Sequence, residues 1–125
     1  MTSAIVLFAH GARDPRWAEP FLAVAARMRA AVPGRRIELA FLELMQPDLD
    51  SAVGQLAGQG ETRIDIVPLF LGTGGHLRVD LPRLVERVRA AHAGLDLRLH
   101  PAIGESERVV DAMAAAALAL SAFGE

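Results

Sequence analysis

The sequence predicts an α/β fold, built as a four-stranded parallel sheet in the order 2-1-3-4 with helices on both faces. Four short apolar runs alternate with four longer stretches that have helical spacing, and short connections join them. The first run, Ala4–Ala9, is apolar throughout, which is typical of a strand covered on both faces. Right-handed crossovers make 2-1-3-4 the natural strand order. A length of 125 residues predicts a single domain over residues 1–125.

Prolines and glycines set the bounds of the predicted elements. Pro33-Gly34 ends the first helix. Pro82 implies that the third helix either starts near Asp80, as its N-cap, or has a kinked first turn. The predicted strands are Ala4–Ala9, Arg36–Leu42, Arg63–Phe70 and Leu95–Leu99. The predicted helices run from Trp17 to Ala31, from Asp48 to between Gly58 and Gly60, through the Pro82 segment to Ala91, and from Glu105 to Phe123.

The composition excludes several kinds of chemistry. The chain has no Cys, no Lys and no Tyr, so thiolate ligands, disulfides, cysteine nucleophiles, Schiff-base lysines and a Walker lysine are excluded. A net charge of −2 gives no reason to expect nucleic acid or an acidic membrane surface as a partner. No apolar run approaches the roughly 18 residues of a membrane span, and the first is too short for a signal peptide. We therefore expect a cytoplasmic protein.

Three chemically active residues follow three successive strands. His10 comes after the first strand, Glu43 after the second and His76 after the third. Strands 2, 1 and 3 are neighbours in the predicted order, so these residues should converge at the carboxyl edge of the sheet, where α/β folds bind ligands. Two imidazoles and a carboxylate form an open divalent-metal site suited to Co, Ni, Fe or Zn. We predict His10, Glu43 and His76 as metal ligands.

The residues that flank the two histidines indicate that a second ligand binds at the same edge as the metal. Arg13, Arg16 and Arg78 stand close in sequence to the two histidines, and guanidinium groups favour a carboxylate-bearing ligand. The glycine-rich turn Gly72–Gly75 lets a large, flat molecule approach the backbone. Each arginine is also compatible with an ordinary solvated charge, and the turn with a simple tight bend.

These residues carry a resemblance to a known family. The segment His10-Gly11-Ala12-Arg13 follows the first strand, Phe41-Leu42-Glu43 with Gln46-Pro47 follows the second, and Val67–Leu71 precedes His76 and Asp80-Leu81-Pro82. In this order the motifs resemble the short form of the sirohydrochlorin chelatase family, class II chelatases that insert cobalt, nickel or ferrous iron into a tetrapyrrole. The resemblance covers roughly the first 90 residues, and three motifs in register are fairly specific.

The resemblance implies roles for the site residues. It implies that His10 and His76 bind the metal and that His10 accepts a pyrrole proton. It also implies that Leu71, Gly72, Thr73, Gly74, Gly75 and Gln46 line the tetrapyrrole site. The metal is then a substrate, with Co²⁺ expected first and Fe²⁺ or Ni²⁺ as alternatives, and neither an organic cofactor nor ATP is needed. The chain departs from the family pattern at Ala12, Gln46 and Thr73, where Ser, Glu and His are often found.

A homodimer is expected as well. One domain of this size offers a tetrapyrrole a single wall, and family members of double length look like two such units fused. The alanine-rich last helix, with Val109, Met113, Leu118 and Leu120, could supply the interface or could simply cover the sheet.

Two alternative functions use the same residues. A non-catalytic protein could store or deliver the metal or the tetrapyrrole. A histidine-dependent phosphatase is less compatible, because Ala9 stands where its Arg-His-Gly motif needs arginine. Of the remaining histidines, His92 is interpreted as a cation at a helix end, and His100 as a structural or solvent-facing residue.

Overall fold

The computed structural model contains one four-stranded parallel sheet in the order β2-β1-β3-β4, which confirms the predicted topology. It describes residues 3–122, apart from the side chain of His76. The strands are β1 (Ala4–Ala9), β2 (Ile37–Phe41), β3 (Arg63–Pro68) and β4 (Asp96–Leu99). The helices are α1 (Glu19–Ala31), α2 (Leu49–Gly58), α3 (Gly75–Ala91) and α4 (Glu107–Ser121).

Two helices cover one face of the sheet. Alternate residues of a strand point to opposite faces, and Val6 and Phe8 of β1 point to this one together with Ile64 and Ile66 of β3. They pack against α2 and α3, whose inward residues are Leu49, Ala52, Val53, Leu56, Leu81, Val85 and Val88. This contiguous apolar core fixes β1 and β3 side by side, so their carboxyl ends lie at the same edge.

The opposite face is only partly covered. Ile5, Leu7 and Ala9 of β1 form a second apolar cluster with Ile37, Leu39 and Phe41 of β2, packed against α1. Trp17 is half-buried there, with its ring 4.7 Å from that of Phe21 and 6.5 Å from that of Phe41. The helix α4 packs on neither face within the described chain, and its main contacts are with the short 3-10 segment Ile103–Glu105.

Several predicted element bounds were wrong. The first helix was predicted from Trp17, but residues Pro15–Ala18 form a separate 3-10 turn capped by Asp14, and α1 begins at Glu19. The third helix starts neither near Asp80 nor with Pro82 in its first turn: it begins at Gly75, and Pro82 is its eighth residue. Burial of Leu81, Val85 and Val88 against the sheet offsets the hydrogen bond that this proline removes.

Smaller differences occur at the other ends. The third strand was predicted to reach Phe70 and ends at Pro68. The last helix was predicted from Glu105 and begins at Glu107, because Ile103–Glu105 form a 3-10 turn that delivers Ser106 as N-cap. Its predicted end at Phe123 lies outside the described residues. Among the described helices, none has the length and apolar character needed to cross a bilayer.

Candidate functional site

The ends of β1 and β2 run together at the carboxyl edge. The amide of Leu42 donates to the carbonyl of Ala9 over 2.9 Å, and the amide of Glu43 donates to the carbonyl of His10 over 3.0 Å. The two chain segments thus stay paired by two hydrogen bonds beyond the end of the sheet. His10 and Glu43, 33 positions apart in sequence, become neighbours, as the strand order predicts.

Gly11 makes this approach possible. Its φ is +99°, in the region that favours glycine, and a Cβ at this position would overlap the carbonyl oxygen of Glu43. Leu44, in the same loop as Glu43, also has a positive φ of 65°. The backbone therefore adopts unusual conformations on both sides of the contact, and such conformations concentrate at functional sites.

The side chains of His10 and Glu43 form a direct pair. Nε2 of His10 lies 2.8 Å from Oε1 of Glu43, and each side chain is about half exposed. The His10 ring also meets Phe70 edge to face, with centroids 6.3 Å apart and planes at 71°. Phe70 is itself buried against Phe8. An apolar ring and a carboxylate thus orient the imidazole while one side of it stays open to solvent.

The spacing of this pair suits two ligands of one metal ion. Donor atoms about 2.1 Å from a metal, in octahedral or tetrahedral positions, lie roughly 3.0 to 3.4 Å apart. The 2.8 Å between Nε2 and Oε1 needs only a small opening to reach that range. Without a metal, Nε2 of His10 and Oε1 of Glu43 form a hydrogen bond. Metal binding between them would displace the proton of that bond.

His76 is placed by its backbone. It is the second residue of α3, which begins directly after the turn that follows β3. Its imidazole is not among the described side chains, so the predicted convergence with His10 stays a prediction. The described side chains contain no group of three His, Asp or Glu able to hold a metal, and the predicted set includes His76.

The predicted tetrapyrrole-binding segment forms an exposed rim. Leu71, Gly72, Gly74 and Gly75 are exposed and Thr73 is half-buried. A Cβ at any of the three glycines would meet nothing within 4 Å, so these glycines border open space. Gly104 supports this rim from below, because its amide donates to the carbonyl of Phe70 over 3.0 Å and a Cβ there would overlap the Leu71 backbone.

The remaining predicted contacts lie around the same edge. Arg78 and Thr73 border a cavity of about 140 Å³ together with His100. Arg13 and Gln46 are exposed, and Gln46 precedes a cis peptide bond to Pro47. Arg16 is instead committed to Asp14 through a 2.8 Å ion pair, and its hydrogen bonds hold the pKa of the Asp14 carboxyl below its usual range. Of the three arginines, Arg16 is the least available to a ligand.

The other two histidines contact carboxylates that are not in the predicted ligand set. His92 is the C-cap of α3, as its interpretation as a helix-end cation requires, and its Nε2 lies 3.0 Å from Asp50 of α2. His100 contacts Asp65, a buried carboxylate in the middle of β3, with 2.7 Å between Nε2 and Oδ1. Asp65, an acidic residue inside the apolar run of β3, is the sequence signal for this network.

Asp65 is held ionised by its surroundings. Burial raises its pKa, but hydrogen bonds from His100 and Ser3 and the charges of His100 and Arg63 outweigh burial, so the pKa lies below its ordinary value. Arg35 approaches the same carboxylate at 3.7 Å. The structure thus buries a charge with donors on several sides.

The Asp65 network predicts an acid-dependent loss of stability. A lowered pKa means that the stabilisation is present above the unfolded-state pKa of about 3.9 and is lost as the pH falls through the folded-state value. Asp65→Asn should lower the free energy of unfolding at pH 7 by about 1–3 kcal/mol. Urea unfolding of both proteins should show this gap closing below about pH 4. A gap that is constant from pH 7 to pH 3 would contradict the assignment.

The family of the chain follows from comparison with known proteins. A family profile described as CbiX matches residues 4–119, which includes every strand and helix except the last two residues of α4. The chain belongs to the CbiX family. This CbiX-family chain carries the His10–Glu43 pair and the His76 position inside the matched region. The resemblance to sirohydrochlorin chelatases inferred from the three motifs is thereby confirmed.

Curated relatives of this CbiX-family chain differ in length. The sirohydrochlorin ferrochelatase of Bacillus subtilis is 30% identical over 113 residues, which cover 90% of the chain and 43% of the relative. The sirohydrochlorin cobaltochelatase of Saccharolobus solfataricus is 27% identical over 111 residues, covering 84% of the chain and 85% of the relative. The chain therefore spans less than half of the Bacillus relative and most of the archaeal one.

Solved structures show the same fold. The crystal structure of a CbiX protein from Marinobacter aquaeolei, named for cobalamin (vitamin B12) biosynthesis, matches with a TM-score of 0.84 and 37% identity, over 93% of this chain and 94% of the other. SirB from Bacillus subtilis subspecies spizizenii, a sirohydrochlorin chelatase in complex with cobalt, matches with a TM-score of 0.79 and 30% identity, over 92% of this chain and 49% of SirB.

Proposed function

We propose that this CbiX-family chain inserts a divalent metal into sirohydrochlorin or a related tetrapyrrole, with Co²⁺ as the first choice and Fe²⁺ or Ni²⁺ as alternatives. One observation carries the proposal: the His10–Glu43 pair, with ligand-like spacing, lies at the carboxyl edge of a fold shared with named sirohydrochlorin chelatases. Imidazole and carboxylate accept all three of these ions. The metal is a substrate of the reaction.

The metal is held by His10, Glu43 and His76. Nε2 of His10 and Oε1 of Glu43 lie 2.8 Å apart, and His76 lies in the first turn of α3. Three protein ligands leave further coordination positions open for water and, in turn, for the pyrrole nitrogens. The half-exposed position of His10 and Glu43 lets a large substrate reach the ion from the solvent side.

The reaction must also remove two protons. Replacing two pyrrole N–H bonds with two bonds to M²⁺ releases two H⁺, so a base is needed close to the metal. His10 is the proposed acceptor of one of these protons once the metal has passed to the pyrrole nitrogens, because a neutral imidazole takes up protons near neutral pH. Glu43, whose Oε1 lies 2.8 Å from Nε2 of His10, then stabilises the resulting cation, and the second proton passes to solvent water at the half-exposed site. No step requires ATP.

The substrate lies on the exposed rim of the edge. Leu71 offers an apolar surface and the turn Gly72–Gly75 allows close approach of a flat ring, since a Cβ at these glycines would meet open space. Arg13 and Arg78 are the proposed partners of the ring carboxylates. Gln46, exposed in the loop after β2, contacts the ring edge.

We further propose that two copies of the chain pair to complete the substrate site, in the cytoplasm. One copy of the chain offers only one wall of the tetrapyrrole site. Support comes from the Bacillus relatives, since the chain matches only 43% of the ferrochelatase and 49% of SirB. Those proteins are about twice as long, as a fused pair of such units would be.

Anaerobic insertion assays test the proposed activity. The full chain is mixed with a tenfold excess of sirohydrochlorin and of Co²⁺, Fe²⁺ or Ni²⁺, and insertion is followed by ultraviolet–visible absorption. We expect several equivalents of metallated product per chain, well above the rate without protein. Product that stops at one equivalent would replace the enzyme with a binding protein. Turnover of p-nitrophenyl phosphate without insertion would favour the phosphatase alternative.

A further inference from the structure

A small cavity lies beside the exposed rim, between the first turns of α3 and the connection from β4 to α4. It has a volume of about 140 Å³ and is bordered by Thr73 and Arg78 from the α3 side and by His100 and Glu105 from the other. At about 30 Å³ per water molecule, it holds roughly five waters. That is the space of a short side chain with about as many non-hydrogen atoms, and far less than a tetrapyrrole ring needs.

The floor of the cavity is apolar. Leu81, which is buried, lines it together with the half-buried Leu77 and Leu99. Methylene carbons are favoured against such a floor, because the contact removes apolar surface from water on both sides. The cavity therefore suits a short chain of methylene groups better than a hydrated ion.

Arg78 places a positive charge at the solvent side of this cavity. Its side chain is exposed and forms no ion pair within the described chain, whereas the guanidinium groups of Arg16, Arg36 and Arg98 are paired with carboxylates. A guanidinium without a partner keeps its donors for a planar anion, and the two oxygens of a carboxylate match its fork. A methylene chain that ends in a carboxylate thus fits the floor and the Arg78 side together.

The other polar groups of the lining give the cavity a direction. Glu105 lines it as well, but no ion pair joins Glu105 to Arg78 in the part of the chain that the structure describes. His100 directs its Nε2 to Asp65 at 2.7 Å. An anion in the cavity is attracted by Arg78 and repelled by Glu105, so removal of either charge should shift the affinity for that anion in opposite directions.

The cavity lies within reach of a ring bound at the proposed metal site. It touches the ends of β3 and β4 at Pro68 and Leu99, whereas His10 directly follows β1. Neighbouring strands are about 4.8 Å apart, so the cavity is roughly 5–10 Å along the edge from the end of β1. This distance is comparable with that from the centre of a tetrapyrrole to the carboxylates of its side chains. Thr73 belongs to both the proposed ring surface and the cavity.

We propose that this cavity binds one carboxylate side chain of the tetrapyrrole, an acetate or a propionate, with its methylene carbons on the leucine floor and its carboxylate on Arg78. The proposal rests on the tetrapyrrole substrate proposed above. A ring held in this way has one preferred rotation above the metal ligands. The site then selects rings that carry a carboxylate on a short flexible arm, and Arg78 is the residue that determines this specificity.

Binding of metal-free sirohydrochlorin tests the cavity without an insertion step. Trp17 is the only tryptophan of the chain, so quenching of its fluorescence reports the bound ring. Arg78→Met should raise the Kd about 10-fold or more, because it removes a charge-assisted pair. Arg78→Lys keeps the charge but not the fork and should raise it about 3-fold. Glu105→Gln should lower the Kd, because it removes the repulsion.

Two controls separate the side-chain contact from general charge effects. Arg83 is exposed on the same helix and does not line the cavity, so Arg83→Met should keep the Kd within about 2-fold of wild type. With a sirohydrochlorin whose carboxylates are converted to primary amides, wild type and Arg78→Met should have the same Kd, because the partner of the guanidinium is gone.

Four results would overturn the proposal. They are a wild-type chain that does not bind the ring, equal losses in Arg78→Met and Arg83→Met, a loss in Arg78→Met that persists with the amide ring, and a higher Kd in Glu105→Gln. Insertion on the same samples reports separately on the chelatase function. Wild type that shows the expected order of Kd values but inserts no metal would support the cavity and reject the enzyme. Insertion by Arg78→Met with an unchanged KM would reject the cavity alone.

Discussion

Replacing His10 with alanine is expected to lower the rate of metal insertion by about 10³-fold or more, because the variant loses a metal ligand and the proposed proton acceptor together. His76→Ala should have an effect of the same order through the metal alone. His10 is half-exposed beyond the end of β1, so its removal leaves the core intact and the unfolding midpoint near that of wild type. The measurement is anaerobic Co²⁺ insertion followed by absorption.

His92→Ala is the matched control for both variants. It removes an imidazole that also contacts a carboxylate, Asp50, at 3.0 Å, but at the far end of α3. It should insert metal at the wild-type rate. Wild-type turnover by His10→Ala or His76→Ala would refute the assignment of that residue.

Replacing Gly11 with alanine is expected to damage both stability and activity. The positive φ costs about 1–2 kcal/mol for a residue with a Cβ, and displacing the Glu43 carbonyl adds roughly 1–3 kcal/mol of overpacking. The free energy of unfolding should therefore fall by about 2–5 kcal/mol. The Glu43 loop must shift to make room, so the affinity for Co²⁺ should also fall. Urea unfolding and metal titration measure the two effects.

Gly60→Ala separates the two causes. Gly60 has a φ of +95°, close to that of Gly11, but a Cβ there would meet nothing within 4 Å. This control should lose only the backbone part of the stability and keep the wild-type affinity for Co²⁺. Equal effects of the two substitutions on metal binding would show that the contact of Gly11 with Glu43 has no role in the site.

The sheet could be predicted because its signals are local. Apolar runs bounded by glycine and proline identify strands, and handedness then restricts their order. That order places His10 beside Glu43, although 33 residues separate them, and the structure shows the contact at 2.8 Å. The convergence of strand ends thus needs only topology, which is why the main feature of the site could be inferred without coordinates.

The element ends were harder to predict because they depend on tertiary contacts. Pro82 indicated a later start for α3, but burial of Leu81 and Val85 on the sheet stabilises a helix that begins at Gly75. The glycine-rich turn is also shorter than predicted, so His76 lies inside the helix rather than before it. Packing of α3 against the sheet, which no local sequence pattern reveals, thus outweighed the preference of proline for the start of a helix.

The very close backbone contacts at two glycines could not be predicted. Gly11 and Gly104 each approach another loop so closely that a Cβ would overlap a carbonyl, and no sequence pattern identifies those partners. The same holds for α4. Its alanine-rich sequence fits both a sheet-covering helix and an interface helix, and its main contacts within the described chain are with the short 3-10 segment Ile103–Glu105.

X-ray absorption of the chain loaded with one equivalent of Co²⁺ tests the metal site most directly. We predict two imidazole ligands and one carboxylate oxygen per cobalt, with one imidazole lost in His10→Ala, one lost in His76→Ala, and the oxygen shell changed in Glu43→Gln. A cobalt ion that has fewer than two imidazoles in the wild-type chain, or that keeps both in either histidine variant, would contradict the site and with it the proposed chemistry.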